Sequence, residues 1–396
     1  MNKGGRTAKL LELTLFVTFL SLTTSGLLAQ EAKTFDDAKT VSVRTGKPVL
    51  LEFNRDDCEY CQEAKKDQQS VPAIKAALDK VVHISLSVLQ GEGTQLSETY
   101  KVGIYYPVFV LMNAEGKVIS RWTGYTGADR FIASFNQAMA DRTTVDERIA
   151  RFRKAPTVAD AFFLAEYFTQ TQEYLTAREY VRELQLLQGQ GLDLSFRYFS
   201  VTAEAVWNSL LPFDSLVIAA DAVLAKKSSN TANLGMLAQM MGNVARRTGH
   251  TNRLEKYLMA GMEATANRKD KDGIDLHRDL LADYALHVFR DSAEAISVRK
   301  QSMGDGWEKD PARYFQFGEW CLRRNINLGE AEYYVRLATK QATGDKFRAS
   351  HLRLLAEICY ARGNTSEAVR LANESLALDP TAVWFEKKLD DWRAGR

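Results

Sequence analysis

Two kinds of hydrophobic patterning divide the chain. Up to about residue 140, short apolar runs alternate with turn residues and brief amphipathic stretches. Beyond residue 158 only helical periodicity remains. In the first region, 34–45 predicts a short helix with Phe35, Ala38 and Val41 near one face, ended by Gly46 and barred from continuing by Pro48. Val49–Asn54 reads as a buried strand, and 57–69 as a helix. A second helix, 73–80, is entered through Pro72. The β-branched run 81–88 predicts a strand, followed by a short helix ending near Tyr100. Strands at 107–112 and 117–123 flank the turn Asn113-Ala114-Glu115-Gly116, and 128–140 is an amphipathic helix. This order predicts an α/β layer sandwich with a mixed sheet over residues 31–141.

A charged stretch, 142–157, broken by Pro156, reads as a linker. After it, small residues recur in helical surroundings at Ala165, Ala205, Gly242, Ala282, Gly318 and Ala356, with separations of 40, 37, 40, 36 and 38 residues. That spacing predicts five or six helical hairpins stacked as a solenoid over 158–396. Aromatics such as Trp207, Tyr314, Phe315, Phe317 and Trp320 are expected to be core residues of these helices.

Composition narrows the function class. A length of 396 residues implies two or three domains; a formal net charge of +2 argues neither for nor against nucleic acid, and the lack of a basic run interleaved with aromatics gives nucleic-acid binding little weight. Residues 1–29 have the order of a secretory signal: Lys3, Arg6 and Lys9, then the apolar stretch 10–22, then small residues up to a cleavage position at Ala29. The stretch 10–29 is also about long enough to act as an uncleaved signal anchor. Both readings put the rest of the chain in the periplasm or another extracytoplasmic compartment.

The chemistry lies in Lys47–Cys61, KPVLLEFNRDDCEYC. A strand runs into a polar turn, and Cys58 and Cys61 follow at the spacing of one helical turn. A thiolate is favoured at a helix N-terminus, so Cys58 is the expected nucleophile and Cys61 the resolving thiol. A static disulfide and half of a zinc site are the alternatives, but no further pair of Cys or His residues lies close in sequence. Asp56, Asp57 and Glu59 surround Cys58 with negative charge. That disfavours the thiolate and predicts a reducing dithiol. The remaining cysteines, Cys321 and Cys359, are expected to be core residues, with a mutual disulfide as a lesser alternative. On the residues alone, Glu52 is a buried or an outward-facing strand carboxylate.

Several of these residues together resemble the thioredoxin superfamily, in its exported, reductase-like branch. They are Phe35-Asp36-Asp37-Ala38, Gly46-Lys47-Pro48, the Cys58/Cys61 pair, Tyr100-Lys101-Val102, Tyr106-Pro107, and Asn113–Val118 through Gly124-Tyr125. The resemblance implies that Glu52 is a buried acid shuttling protons for the resolving cysteine. It also implies that Pro107 is a cis-proline beside the cysteines, where the residues alone allow an ordinary strand-start proline. Asp57 stands where this family usually has tryptophan, and Val108 where it usually has threonine. In the last repeat Leu352, Leu355, Ala356, Gly363, Ala368 and Pro380 resemble a tetratricopeptide repeat.

The functional expectation is an exported thiol–disulfide oxidoreductase, acting as a reductase on protein disulfides. It would use the Cys58–Cys61 disulfide with no further cofactor or metal, and a membrane electron donor would supply it. The helical repeats would make protein–protein contacts. A non-catalytic binding scaffold and a CxxC metal chaperone are the alternative readings.

Overall fold

Thr34 opens the first helix with a capping box: its side chain accepts from the Asp37 amide, and Asp37 reaches back to the Thr34 amide. The structure, a computed structural model, describes residues 32, 34–189, 191–226 and 231–395. The signal reading at 1–29 falls outside those residues. Two units are distinct, Met1–Lys154 and Ala155–Arg396.

In the first unit, α1 (Phe35–Thr45) ends at Gly46, whose φ of 70° is the left-handed cap that glycine adopts without steric cost. Then come β1 (Val49–Asn54), α2 (Glu59–Ser70), α3 (Pro72–Leu78), β2 (Val82–Ser87) and α4 (Glu92–Thr99). The unit continues with β3 (Val108–Met112), β4 (Val118–Thr123), α5 (Ala128–Ala140) and α6 (Val145–Lys154). The four-stranded sheet has the order β2-β1-β3-β4. β1 runs parallel to β2 and antiparallel to β3, and β3–β4 is the hairpin closed at Asn113–Gly116.

β1 is buried on both faces. Val49, Leu51 and Phe53 pack with Ile84, Val108 and Val110 on one side. Leu50 packs with Ala64, Ile74, Phe109, Phe131 and Phe135 on the other. Period-two alternation puts Glu52 and Asn54 on the second face with Leu50.

The predicted linker is largely helical. α6 buries Val145, Arg148 and Phe152, and belongs to the first unit. Thr144 and Glu147 exchange hydrogen bonds at its start, and Arg148 pairs with Asp141 at 2.9 Å. The Thr-x-x-Glu pattern was the readable signal, outweighed by the charge of the segment.

The second unit is entirely helical among the described residues. Its helices are α7 (Val158–Gln170), α8 (Tyr174–Gln188), α9 (Ser195–Trp207), α10 (Phe213–Ala225), α11 (Thr231–Thr248) and α12 (Glu255–Thr265). They continue as α13 (Lys271–His287), α14 (Ser292–Ser302), α15 (Pro311–Arg324), α16 (Leu328–Gln341), α17 (Asp345–Ala361), α18 (Thr365–Leu378) and α19 (Val383–Arg393). Consecutive members pack as the hairpins α7/α8, α9/α10, α11/α12, α13/α14, α15/α16 and α17/α18. The six recurring small residues all lie on the first helix of a hairpin, and all are buried. There a side chain larger than methyl would hold the neighbouring helix away. Gly318 is the tightest case of these: an added Cβ would collide with Val335 on α16. Trp207 differs from expectation. It is 38% exposed and lies under the Arg247 guanidinium instead of filling the core. Cys321 and Cys359 are both free thiols buried in the last hairpins.

Candidate functional site: a dithiol at a helix N-terminus

The turn after β1 ends at Cys58, which is the N-cap of α2 and not a residue within it. Helix α2 therefore starts two residues later than the sequence pattern suggests. The cap position puts the sulfur at the unpaired amides: the Cys61 N–H donates to Cys58 Sγ at 3.1 Å. Cys58 is half-buried, and Cys61, one turn in, is 5% exposed. The two are joined as a disulfide with Cα atoms 5.2 Å apart. α2 is itself anchored, because the Tyr125 hydroxyl donates to Asp67 Oδ2 at 2.6 Å. Burial, and then that bond, hold the Tyr125 phenol well above its ordinary value.

A second segment belongs to the site. Arg121, buried on β4, donates to the carbonyls of Tyr100 and Lys101 and fixes the start of the stretch leading to β3. That stretch ends in the cis peptide Tyr106–Pro107, and the Pro107 carbonyl accepts from the Gly124 amide at 2.7 Å. Three large apolar side chains on the cysteine helix and on this stretch are open to solvent: Tyr60, Ile104 and Tyr105, the last two more than 70% exposed.

Glu52 is 1% exposed. Its Oε2 lies 2.8 Å from Gln68 Nε2 of α2 and 2.8 Å from His83 Nε2 of β2. Gln68 shares a helical stripe with Cys61 and Ala64, the face of α2 turned to the sheet. The sequence places His83 on a strand but gives it no role at the site. Alternation shows that His83, Ser85 and Ser87 share a face of β2. The register Leu50↔His83 and Glu52↔Ser85 is what sets His83 diagonal to Glu52.

The charge around Cys58 differs from the acidic setting read from sequence. Arg55 grips Asp57 with both arms of its guanidinium, Nε to Oδ1 and Nη2 to Oδ2, each at 2.8 Å. Asp57 is thus neutralised locally, leaving Asp56 and Glu59 as exposed carboxylates of the motif. The count of carboxylates in the sequence is offset by Arg55, only two residues from Asp57. Among the described residues, no group of three or more His, Cys, Asp or Glu side chains is placed to hold a metal ion.

In comparison with known families, residues 35–139 match the one described as a thioredoxin-like domain. The first unit carries a thioredoxin-like domain. None of the curated proteins matches the chain. Among solved structures, one similar chain is YrrB, described as a TPR protein with an unusual peptide-binding site. It is 11% identical, the alignment covers 62% of this chain and 98% of that one, and the TM-score is 0.24. The repeat character of the second unit rests on its own hairpins and their spacing. A thioredoxin-like domain is therefore followed in the chain by an array of paired helices.

Proposed function

We propose that the thioredoxin-like domain is a protein thiol–disulfide oxidoreductase, exported from the cytoplasm and working as a reductase. The observation that carries this reading is Cys58 at the N-cap of α2 with the Cys61 amide aimed at its sulfur. The same amide would stabilise the thiolate of the reduced state. The thiolate of Cys58 would attack one sulfur of a client disulfide. The client's S–S bond breaks, a mixed disulfide forms at Cys58, and the departing client thiolate takes up a proton. Cys61, having lost its proton, then attacks Cys58 Sγ, restores the Cys58–Cys61 disulfide and releases the second client thiol. Two electrons and two protons pass to the client, and Glu52 is proposed as the acid–base group for the Cys61 proton. An external dithiol, supplied across the membrane, would reduce the pair again. No further cofactor or metal enters the scheme.

Several features support the finer parts of the proposal. Exposed Tyr60, Ile104 and Tyr105 suit a client segment with apolar side chains beside its disulfide. Asp56 and Glu59 still disfavour the thiolate and favour the reducing direction. Stacked helical hairpins suit a peptide or protein partner, which supports placing client or partner binding in the second unit. The direct test is Cys61→Ser. The variant should accumulate a client as a mixed disulfide on Cys58, visible as a band lost on adding reductant, while the unsubstituted protein turns over a disulfide substrate. Absence of both turnover and trapping would favour a binding scaffold. Stoichiometric zinc on the reduced pair would favour a metal carrier.

A further inference from the structure

Arg55 occupies a position that the proposed chemistry has not used. Its carbonyl accepts from the Cys58 amide at 3.3 Å, so it opens the turn that delivers the nucleophile. Its guanidinium holds Asp57 in a two-bonded fork and also sits over the Tyr106 ring, 5.8 Å from the centroid. Tyr106 is half-buried and precedes Pro107 on the other segment of the site. One side chain therefore touches both segments that frame the disulfide. The Arg55 and Asp57 side chains are each about a quarter exposed, so water and salt screen the pair less than they would a surface pair.

We propose that Arg55 is a positioning residue that sets the reactivity of Cys58. It would do so by cancelling the charge of Asp57 next to the sulfur and by tying the cysteine turn to Tyr106 of the cis-proline segment. This rests on the oxidoreductase reading for its purpose, but not for its test. In a site where Asp57 stands at the position resembling the family's tryptophan, an unpaired carboxylate would oppose the thiolate that the helix N-terminus favours. The fork removes that opposition and leaves the Asp57 carboxylate unavailable to a client. Arg55 over Tyr106 adds a cation–π contact that holds the guanidinium in place. The charged and titratable groups on the two framing segments are Arg55, Asp56, Asp57, Glu59 and Tyr60 on one side, with Lys101, Tyr105 and Tyr106 on the other. Of the carboxylates here, Asp57 is the one held by a forked arginine.

The test is the rate of Cys58 alkylation by iodoacetamide across pH in the reduced, full-length protein. Arg55→Gln should lower the rate at neutral pH by about threefold or more, because Asp57 is left unpaired beside the thiolate. Asp57→Asn should raise it by a similar factor, and the double variant should fall between the two. Arg55→Lys keeps the charge but loses the fork, so its rate should lie between wild type and Arg55→Gln. A general loosening of the turn would move both single variants in the same direction. That outcome, or no change in Asp57→Asn, overturns the proposal, and the opposite directions expected of Asp57→Asn and Arg55→Lys decide it even if Arg55→Gln fails to fold. The two readings fail separately. Opposite shifts without substrate turnover would sink the oxidoreductase reading alone, and turnover without the shifts would sink the role of Arg55 alone.

Discussion

Glu52 shows at the scale of single residues how a buried carboxyl is tolerated. Two hydrogen-bond partners, Gln68 and His83, reach the same oxygen from different elements. A buried polar group without partners would cost several times what a satisfied one contributes. His83→Ala should therefore destabilise the first unit by about 1–3 kcal/mol, read as a lower urea midpoint, since Glu52 would keep Gln68 alone. Glu52→Gln preserves the size and much of the bonding but cannot take a proton. Under the proposed mechanism it should slow release of client from the mixed disulfide by about 100-fold, with little change in the rate at which that disulfide forms. Equal slowing of both steps would remove Glu52 from the acid–base role. Cys58 and Cys61 are legible from spacing alone, whereas Glu52, six residues before Cys58, is legible only through the thioredoxin resemblance. The fork between Arg55 and Asp57 and the bond to His83 are not, because each depends on side-chain direction or strand register.

Elements were largely legible, and their limits less so. α1, β1 and α5 follow the sequence pattern closely because strong signals end them: Gly46 after α1, the polar turn after β1, and Gly127 before α5. The start of α2 moved to Glu59 because a cysteine sulfur can cap a helix in place of the usual oxygen, a use that propensity alone does not anticipate. Charge dominates the composition of α6 and reads as a linker, yet Val145 and Phe152, buried two turns apart on one face, and a capping box make it a helix packed on β4. In the helical unit the recurring small residues mark a packing constraint. Gly318→Ala should cost about 1–3 kcal/mol through overpacking against Val335, measured as a fall in the denaturant midpoint of the helical signal. A neutral result would mean that α15 and α16 can separate without loss.

At the scale of the whole molecule, the second unit is threaded by a buried ionic link between repeats. Asp283 on α13 is 3% exposed, and its two oxygens bind Arg246 of α11 at 2.8 Å and Arg324 of α15 at 2.7 Å. One carboxylate thus joins the first helices of three successive hairpins. Burial pushes its pKa up, but the two arginines outweigh this and hold it below the ordinary carboxylate value. Asp283→Ala should cost about 3–5 kcal/mol by stranding two buried guanidinium groups. A folded-state pKa held down contributes stability above the unfolded value and loses it as pH falls through the folded one. The stability difference between wild type and Asp283→Asn should accordingly be full at neutral pH and shrink below about pH 4. A difference that stays constant down to acid would show that the aspartate acts only through its shape.

By itself the sequence determined the two-part plan, the strand–turn–helix carrying Cys58 and Cys61, and the hairpin period of the second unit. Each of these is written in local spacing: two residues per strand alternation, a step of three from Cys58 to Cys61, and just under forty per repeat. Only the tertiary structure decided which charges meet. Arg55 with Tyr106, Glu52 with His83 and Gln68, and Asp283 with arginines from two other repeats are all set by where whole elements come to rest, while the Arg55–Asp57 fork is set by side-chain direction within one turn. Burial lowers the local dielectric, so the same residue types that would be screened at the surface become decisive once packing brings them together.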